Sequence, residues 1–312
     1  MISAEYTVQP FFLDSFPLMR ELFLSAFNVH ITYEGFQKKY DTKELGHPVI
    51  GFIALHKLTN SPAAYYGVFP LKALINGKEI LIAQSGDTMT HKNHQKKGLF
   101  ISLARMTFEA CQKEGIEIIF GLPNTNSYHG FTQKLGWIHL DDIDRYDLKL
   151  PIKTFPLPKL LRKFGLSKIY LQYARLVLQE KTVNNVSNFT NNRNSNSARI
   201  LRNQDYIKYK TSVDKVFFKL ETVIFWVKFT DVLWIGEISD YSKINQRIIK
   251  KLKQIAVILG YNTITFHINK NTDHNFLHFF KKFEAEPSCF YYLNKEHLNC
   301  NLILTGADFD TW

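Results

Sequence analysis

The sequence predicts an α/β protein, a mixed β-sheet flanked by helices, with the chain organised as two tandem halves. Three observations carry this. A β-type apolar run, Glu79 to Ala83, enters a basic loop from which Phe100, Leu103, Ala104, Phe108 and Cys111 recur at helical spacing. A second β-type run, Ile116 to Phe120, is followed by a turn and a helix that runs into Lys134-Leu135-Gly136-Trp137. The same order of helix, glycine, strand and Asn-containing turn then returns between Ile244 and Phe283.

Each element has its own local reason. The first helix closes near Lys113, with Gly115 as its C-cap. Leu122-Pro-Asn-Thr-Asn-Ser-Tyr128 turns the chain into the next helix, with Asn126 or Ser127 expected as N-cap. Leu157 to Gln179 is basic, amphipathic and interrupted by Gly165, which reads as helix, loop and helix packed on a core rather than as a membrane-surface helix. Asn184 to Ser197 is half asparagine and predicts an exposed loop. Strands are expected at Val223–Phe229 and Val232–Glu237, then a helix from Ile244 to Leu259, a strand from Thr263 to Ile268, and a helix through Phe283. The expected divisions are 1–150, a linker of helices and loop over 151–195, and a second half over 196–312.

The basic loop Thr88-Met-Thr-His-Lys-Asn-His-Gln-Lys-Lys-Gly-Leu-Phe100 carries the chemistry. Its last amides open a helix, where N–H groups lack intrahelical acceptors and the dipole is positive, so Gln95, Lys96, Lys97, Gly98 and Leu99 suit a pyrophosphate. Neither a G-x-x-x-x-G-K-[ST] loop nor a G-x-G-x-x-G turn is present. In the second half the equivalent segment, Ser239 to Asn245, has no glycine and places an acid where a phosphate would sit, so no second polyphosphate site is expected.

Gln95-Lys-Lys-Gly-Leu-Phe100 resembles the Q/R-x-x-G-x-G/A acyl-CoA loop of the GNAT acyltransferases, departing at Phe100, where a small residue is usual. The run from Asn124 to Trp137, N-x-N-S-Y-x-G-F-x-x-K-L-G-W, is similar to a later segment of that family, which ends Y-x-K-L-G-F. The resemblance spans Asp14 to Leu150 and is specific from Ala83 to Trp137, and the second half looks like a degenerate copy. It implies two central parallel strands that splay around the pantetheine arm of acetyl-CoA, or another acyl-CoA, as co-substrate. Met89, Thr90 and His91 would then offer main-chain partners, Gln95 to Phe100 the pyrophosphate cradle, and Asn124 or Asn126 a side-chain amide.

The implied reaction is acyl transfer from a thioester to a neutral amine, which needs a base, oxyanion stabilisation and an acid for the thiolate. Asp87 is the candidate base. Thr132 stands where the family carries its acid tyrosine; Tyr128, one helical turn earlier, is the substitute, with Thr132 as its hydrogen-bond partner. His91 and His94 have no third ligand of fitting type, so no metal is expected. The C-terminal Gly306-Ala-Asp-Phe-Asp-Thr-Trp312 reads either as surface fray or as a tail reaching the active site.

Composition narrows the partners. The formal charge is +11 over 312 residues, but the lysines and arginines are scattered, with no recognition helix, aromatic RNA-binding strand or zinc spacing. A small-molecule amine acceptor, itself anionic, is expected, with no nucleic acid and no stable membrane insertion. Cys111, Cys289 and Cys300 read as reduced thiols, Cys111 as a packing residue. No basic-then-apolar leader is evident, and a cytoplasmic location is expected. For the acceptor, the resemblance points to a nucleotide-linked amino sugar of surface-polysaccharide synthesis. A peptide-bridge transferase of tandem type and a non-catalytic CoA-binding module stay open.

Overall fold

The computed structural model describes residues 3–150, 157–184, 186, 189, 198–270, 272 and 274–312. They form two compact units, Met1–Leu140 with Pro287–Asn301, and Asp141–Glu286 with Leu302–Trp312. The asparagine-rich stretch lies mostly outside the described residues.

The first unit is built on strands β1 (Tyr6–Pro10), β2 (Ile50–His56), β3 (Pro62–Ile75), β4 (Lys78–Ser85), β5 (Met89–Thr90) and β6 (Ile118–Gly121). Helices α1 (Phe16–Phe27), α2 (Tyr33–Tyr40), α3 (Leu99–Lys113) and the short α4 (Thr125–His129) flank them. β1 to β4 run antiparallel to their neighbours, and β4 then pairs in parallel with β6, Ile82 with Ile118 and Gln84 with Phe120. Alternation along β3 explains its near-continuous apolar run. Ala64, Tyr66 and Val68 pack with Leu103, Ala104 and Phe108 of α3, while Tyr65 and Phe69 pack with Leu22, Phe23, Phe36 and Tyr40 of α1 and α2.

The strand on the other edge of β6 comes from far down the chain. In β13 (Lys281–Tyr292), Cys289 to Tyr292 pair antiparallel with Gly121 to Ile118. Tyr291 stacks on Phe108 at 4.4 Å, and His297 meets Glu117 at 2.8 Å. The reciprocal exchange involves β7 (Ile138–Lys149), whose residues Ile143 to Lys149 pair antiparallel with Asn269 to Thr263 of β12 (Thr263–Asn269) in the second unit. The divisions drawn at 150 and 196 therefore do not coincide with the compact units. Hydrophobic periodicity finds a strand, but which edge that strand joins depends on pairing across more than a hundred residues.

The second unit orders its strands as β7, β12, β11 (Leu233–Ile238), β10 (Val223–Phe229) and β9 (Lys215–Leu220). Its helices are α5 (Leu157–Lys163), α6 (Ser167–Leu178), α7 (Gln204–Lys210) and α8 (Gln246–Ile258), and the two-residue β8 (Arg199–Ile200) bridges to Ile303. β11 and β12 are parallel and joined through α8, as β4 and β6 are joined through α3. Gly165, at φ 73°, separates α5 from α6, as its position in the sequence suggested. The helix expected through Phe283 is not formed. One 3-10 stretch, Asn275–Phe279, buries Phe276 and Leu277, and the chain is then extended as β13.

The C-terminal segment is docked inside this second unit rather than frayed. Arg202 is buried with its guanidinium paired to both Glu237 and Asp308, and donates to Thr305 Oγ1 at 3.0 Å. Tyr206 donates to Asp308 Oδ1 at 3.1 Å, and Lys210 Nζ to the Phe309 carbonyl at 2.7 Å. Trp312 lies over Gly236, where any side chain would collide with the indole. Asp308 is therefore committed to Arg202.

Two predictions follow from these contacts. A chain cut after residue 150 leaves β6 with an open edge and Phe108 without Tyr291, so it should aggregate, and co-expression with the remainder should recover soluble protein in size-exclusion chromatography. His267 packs against Trp234 and Phe309, and burial, with the Arg145 guanidinium nearby, lowers its pKa to about 4. The unfolded chain takes up this proton below about 6.5 and the folded chain does not, so stability should fall as pH drops from 6.5 towards 4, by at most about 3 kcal/mol. In urea titrations at pH 7 and pH 5, His267→Phe should show a smaller pH-dependent loss than the parent.

Candidate functional site

The site is set by one extra residue. Val68 pairs with Ser85, but Tyr65 pairs with Met89, so Tyr66 and Gly67 of β3 face Gly86, Asp87 and Thr88. This is a bulge of one residue, which bends the strand, and Asp87 sits in it at φ 52°. The parallel pairing of β4 with β6 ends at Gln84 and Phe120, just before the bulge. Beyond that point Met89 and Thr90 follow β3 while β6 runs into the turn at Leu122.

His91 N–H donates to Ala63 O at 2.8 Å, so its main chain is turned to β3. Main-chain groups alternate sides along a strand, which turns Met89 to β3 as well and leaves Thr90 facing away from it. Of the three main-chain partners expected from the sequence, Thr90 alone faces the opening.

The basic loop then enters α3 as anticipated. Lys96 and Gly98 take positive φ, 61° and 73°, and Gly98 is the N-cap residue. Ser102 N–H to Gly98 O, at 3.1 Å, is the first bond of the helix, so the amides of Leu99, Phe100 and Ile101 precede any intrahelical acceptor. Gln95, Lys96, Lys97 and Gly98 are exposed. Lys97 reaches Glu5 at 3.2 Å, and His94 Nδ1 meets the Tyr6 hydroxyl at 3.0 Å. Burial first, then His56, His91 and Lys97, lower the His94 pKa. His91 Nδ1 accepts the Asn93 amide at 3.2 Å. Among the described residues, no three His, Cys, Asp or Glu side chains are grouped to hold a metal.

Phe100 does not obstruct the loop. Its ring meets Tyr66 and Phe131, each at 5.5 Å, and lies over Gly130, where an added Cβ would come within 3.0 Å of it. The bulk at position 100 is accommodated by the missing side chain at 130. Cys111 is fully buried with its pKa pushed up to about 12 by desolvation, which suits packing and not nucleophilic attack.

Asn124, rather than Asn126 or Ser127, caps α4, its Oδ1 accepting the amides of Asn126 and Ser127 at 3.0 and 3.1 Å. α4 passes at Gly130 into a π-turn through Lys134. Thr132 Oγ1 donates to the Tyr128 carbonyl at 2.9 Å, not to its hydroxyl. The hydroxyl meets His139 Nδ1 at 2.9 Å instead. A threonine hydroxyl on a helix reaches the carbonyl four residues back, so Thr132 closes on the Tyr128 main chain and leaves the phenol to another partner.

Asp87 is held by two neighbours that no local motif revealed. Lys39 Nζ lies 2.7 Å from Oδ2, and Tyr40 donates to the same oxygen at 2.9 Å. Asp87 retains 11% of its side-chain exposure and Lys39 29%, so the ion pair stands at the rim of the bulge. Tyr65 is buried beside them, and its pKa is raised by desolvation and then by the Asp87 charge. Lys39 and Tyr40 are consecutive on α2, and only the fold places them opposite residue 87.

Residues 13–140 match the profile of an acetyltransferase (GNAT) domain. No curated protein matches the sequence. Among solved structures the fold is similar to a conserved protein of Enterococcus faecalis described as a probable N-acyltransferase, at 13% identity and TM-score 0.59, over 92% of this chain and 73% of that one. It is also similar to a GCN5-related N-acetyltransferase from Kribbella flavida, at 10% identity and TM-score 0.58, over 92% and 71%. A third likeness is to the Saccharomyces cerevisiae N-myristoyltransferase solved with myristoyl-CoA, at 10% identity and TM-score 0.53, over 94% and 79%. With the bulged strand, the parallel pair and the Gly98 helix start in one unit, residues 13–140 belong to the GNAT acetyltransferase domain family.

Proposed function

We propose that this chain is an acyl-CoA-dependent N-acyltransferase, with acetyl-CoA as the default donor and a primary amine of a small molecule as acceptor. The observation that carries this reading is the loop-to-helix junction at Gly98 placed directly after the bulged strand, at the end of the parallel pair. The exposed residues Gln95 to Gly98, with the amides of Leu99 and Phe100 that open α3, suit the pyrophosphate, Thr90 faces the opening with a main-chain pairing edge for the pantetheine, and the exposed Asn124 and Asn126 flank the far side.

In this mechanism the neutral amine attacks the thioester carbonyl, the C–S bond breaks, and the electron pair leaves on sulfur. Asp87, directly or through a water, receives the amine proton. Because Lys39 occupies that carboxylate in the resting protein, the incoming amine replaces Lys39 on it. Tyr128 returns a proton to the thiolate, with Thr132 fixing the Tyr128 main chain. The acceptor we propose first is a nucleotide-linked amino sugar, an anionic molecule that suits a chain of formal charge +11. The pairing of Asp87 with Lys39 and Tyr40 is also what a CoA-binding module without turnover would show, so Asp87 decides between the two readings.

Calorimetric titration of acetyl-CoA should give saturable binding to the parent protein and at least a tenfold weaker interaction with Gly98→Glu. An added Cβ at Gly98 meets nothing within 4 Å. Gly98→Ala therefore tests only the left-handed backbone, a cost of roughly 1 kcal/mol, and should retain more affinity than the glutamate variant. No binding to the parent protein would defeat the acyltransferase reading. In thiol-release assays with amino-sugar nucleotides, Asp87→Asn should lower kcat by about a hundredfold and leave the KM for acetyl-CoA within a few-fold. Unchanged turnover would remove Asp87 from the mechanism.

A further inference from the structure

Three contacts define the surroundings of Tyr128. Asn124 caps the helix below it, Thr132 Oγ1 holds its carbonyl, and its hydroxyl lies 2.9 Å from His139 Nδ1. The first two place the Tyr128 Cα and leave the phenol free to swing about its side-chain torsions. The third fixes the oxygen. The two rings meet edge to face at 5.6 Å, which sets the plane of the phenol as well. His139 stands at the start of β7, after the π-turn and Gly136, whose φ of 75° reverses the chain and returns it alongside α4. The pair is partly open to solvent, so the imidazole can exchange protons with water.

We infer that His139 is the positioning residue for Tyr128, holding the phenol towards the leaving sulfur and setting the direction of its proton. The inference rests on the reading of Tyr128 as the acid. When Nδ1 lacks a hydrogen, the phenol O–H points at the imidazole and is not available to sulfur. When Nδ1 carries a hydrogen, it donates to the phenol oxygen and the phenol proton is free for transfer. The thiolate takes that proton, the phenolate takes the Nδ1 hydrogen, and the imidazole is reprotonated from water. Every proton is accounted for, and no other reactant is needed. The arrangement also supplies what the family motif lacks at Thr132, since the tyrosine one turn earlier comes with its own partner.

The test uses CoA and desulfo-CoA as paired calorimetric probes, so it needs no knowledge of the acceptor. A hydrogen bond from Tyr128 to sulfur makes the parent protein prefer CoA by about three- to tenfold. Tyr128→Phe abolishes the preference. His139→Phe, which keeps the ring and removes the nitrogen, abolishes it equally, and the double variant loses nothing more. His139→Asn, with a polar atom near the position of Nδ1, restores most of it. A purely structural role for His139 would weaken both probes together and leave their ratio unchanged. If His139→Phe retains the preference that Tyr128→Phe loses, the inference about His139 is overturned while the acid reading stands. If the parent shows no preference, or Tyr128→Phe keeps it, Tyr128 does not meet the sulfur, and the acid reading and the inference fail together.

Discussion

The structure of the first unit depends on where one parallel pairing stops. β4 and β6 are in parallel register from Ile82 to Gln84, and after Ser85 the residues Gly86, Asp87 and Thr88 face only two of β3. A bulge raises local twist and redirects the strand, so Met89 and Thr90 follow β3 and part from β6. Everything assigned to ligand binding hangs on this divergence. It turns Thr90 outward, puts Asp87 on the rim opposite α2, and delivers the loop at Gln95 to the start of α3. Glycines appear where the same geometry brings parts together: Gly121 lies under Trp137, whose ring an added Cβ would meet at 3.2 Å, and Gly130 lies under Phe100.

Both units repeat the parallel strand, helix, parallel strand device, but they use it differently. In the second unit the loop before α8 is closed by Asp240, whose side chain accepts the Ser242 amide, and α8 is capped by Asn245. Those amides are answered by the protein's own oxygens, and an anion would meet the Asp240 carboxylate. The tail from Gly306 packs on β11, its 3-10 turn held by the buried Arg202 with Glu237 and Asp308. A buried guanidinium shared by two carboxylates gives little net stability against an apolar alternative, but loss of one partner strands the others without solvent.

Local patterns were legible where one segment determines the outcome. The strand at Glu79–Ala83, the helix from Leu99 to Lys113, the strands at Val223 and Thr263, and the break at Gly165 follow from periodicity and from residues with special backbone freedom. The sequence offered Asn126 or Ser127 as the cap of α4, but Asn124 takes that place, its Oδ1 accepting the amides of both. The helix expected through Phe283 yielded to a short 3-10 turn and the strand β13, whose far end, Cys289 to Tyr292, is paired with β6. Such pairing overrides intrinsic propensity.

By itself the sequence determined the loop at Gln95–Phe100, the strands and helices from Glu79 to Phe120 and from Val223 to Ile268 with their apolar faces, and the lack of a glycine in the segment before α8, because each is set by residues close together in the chain. Only the tertiary structure decided that β13 completes the first unit and β7 the second, that Lys39 and Tyr40 hold Asp87, and that the Tyr128 hydroxyl meets His139 while Thr132 binds its carbonyl. These contacts join residues from 11 positions apart, Tyr128 and His139, to 174, Ile118 and Tyr292. Short motifs carry no record of such closures, since they are selected by the pairing of edges and the burial of whole faces once the chain has folded.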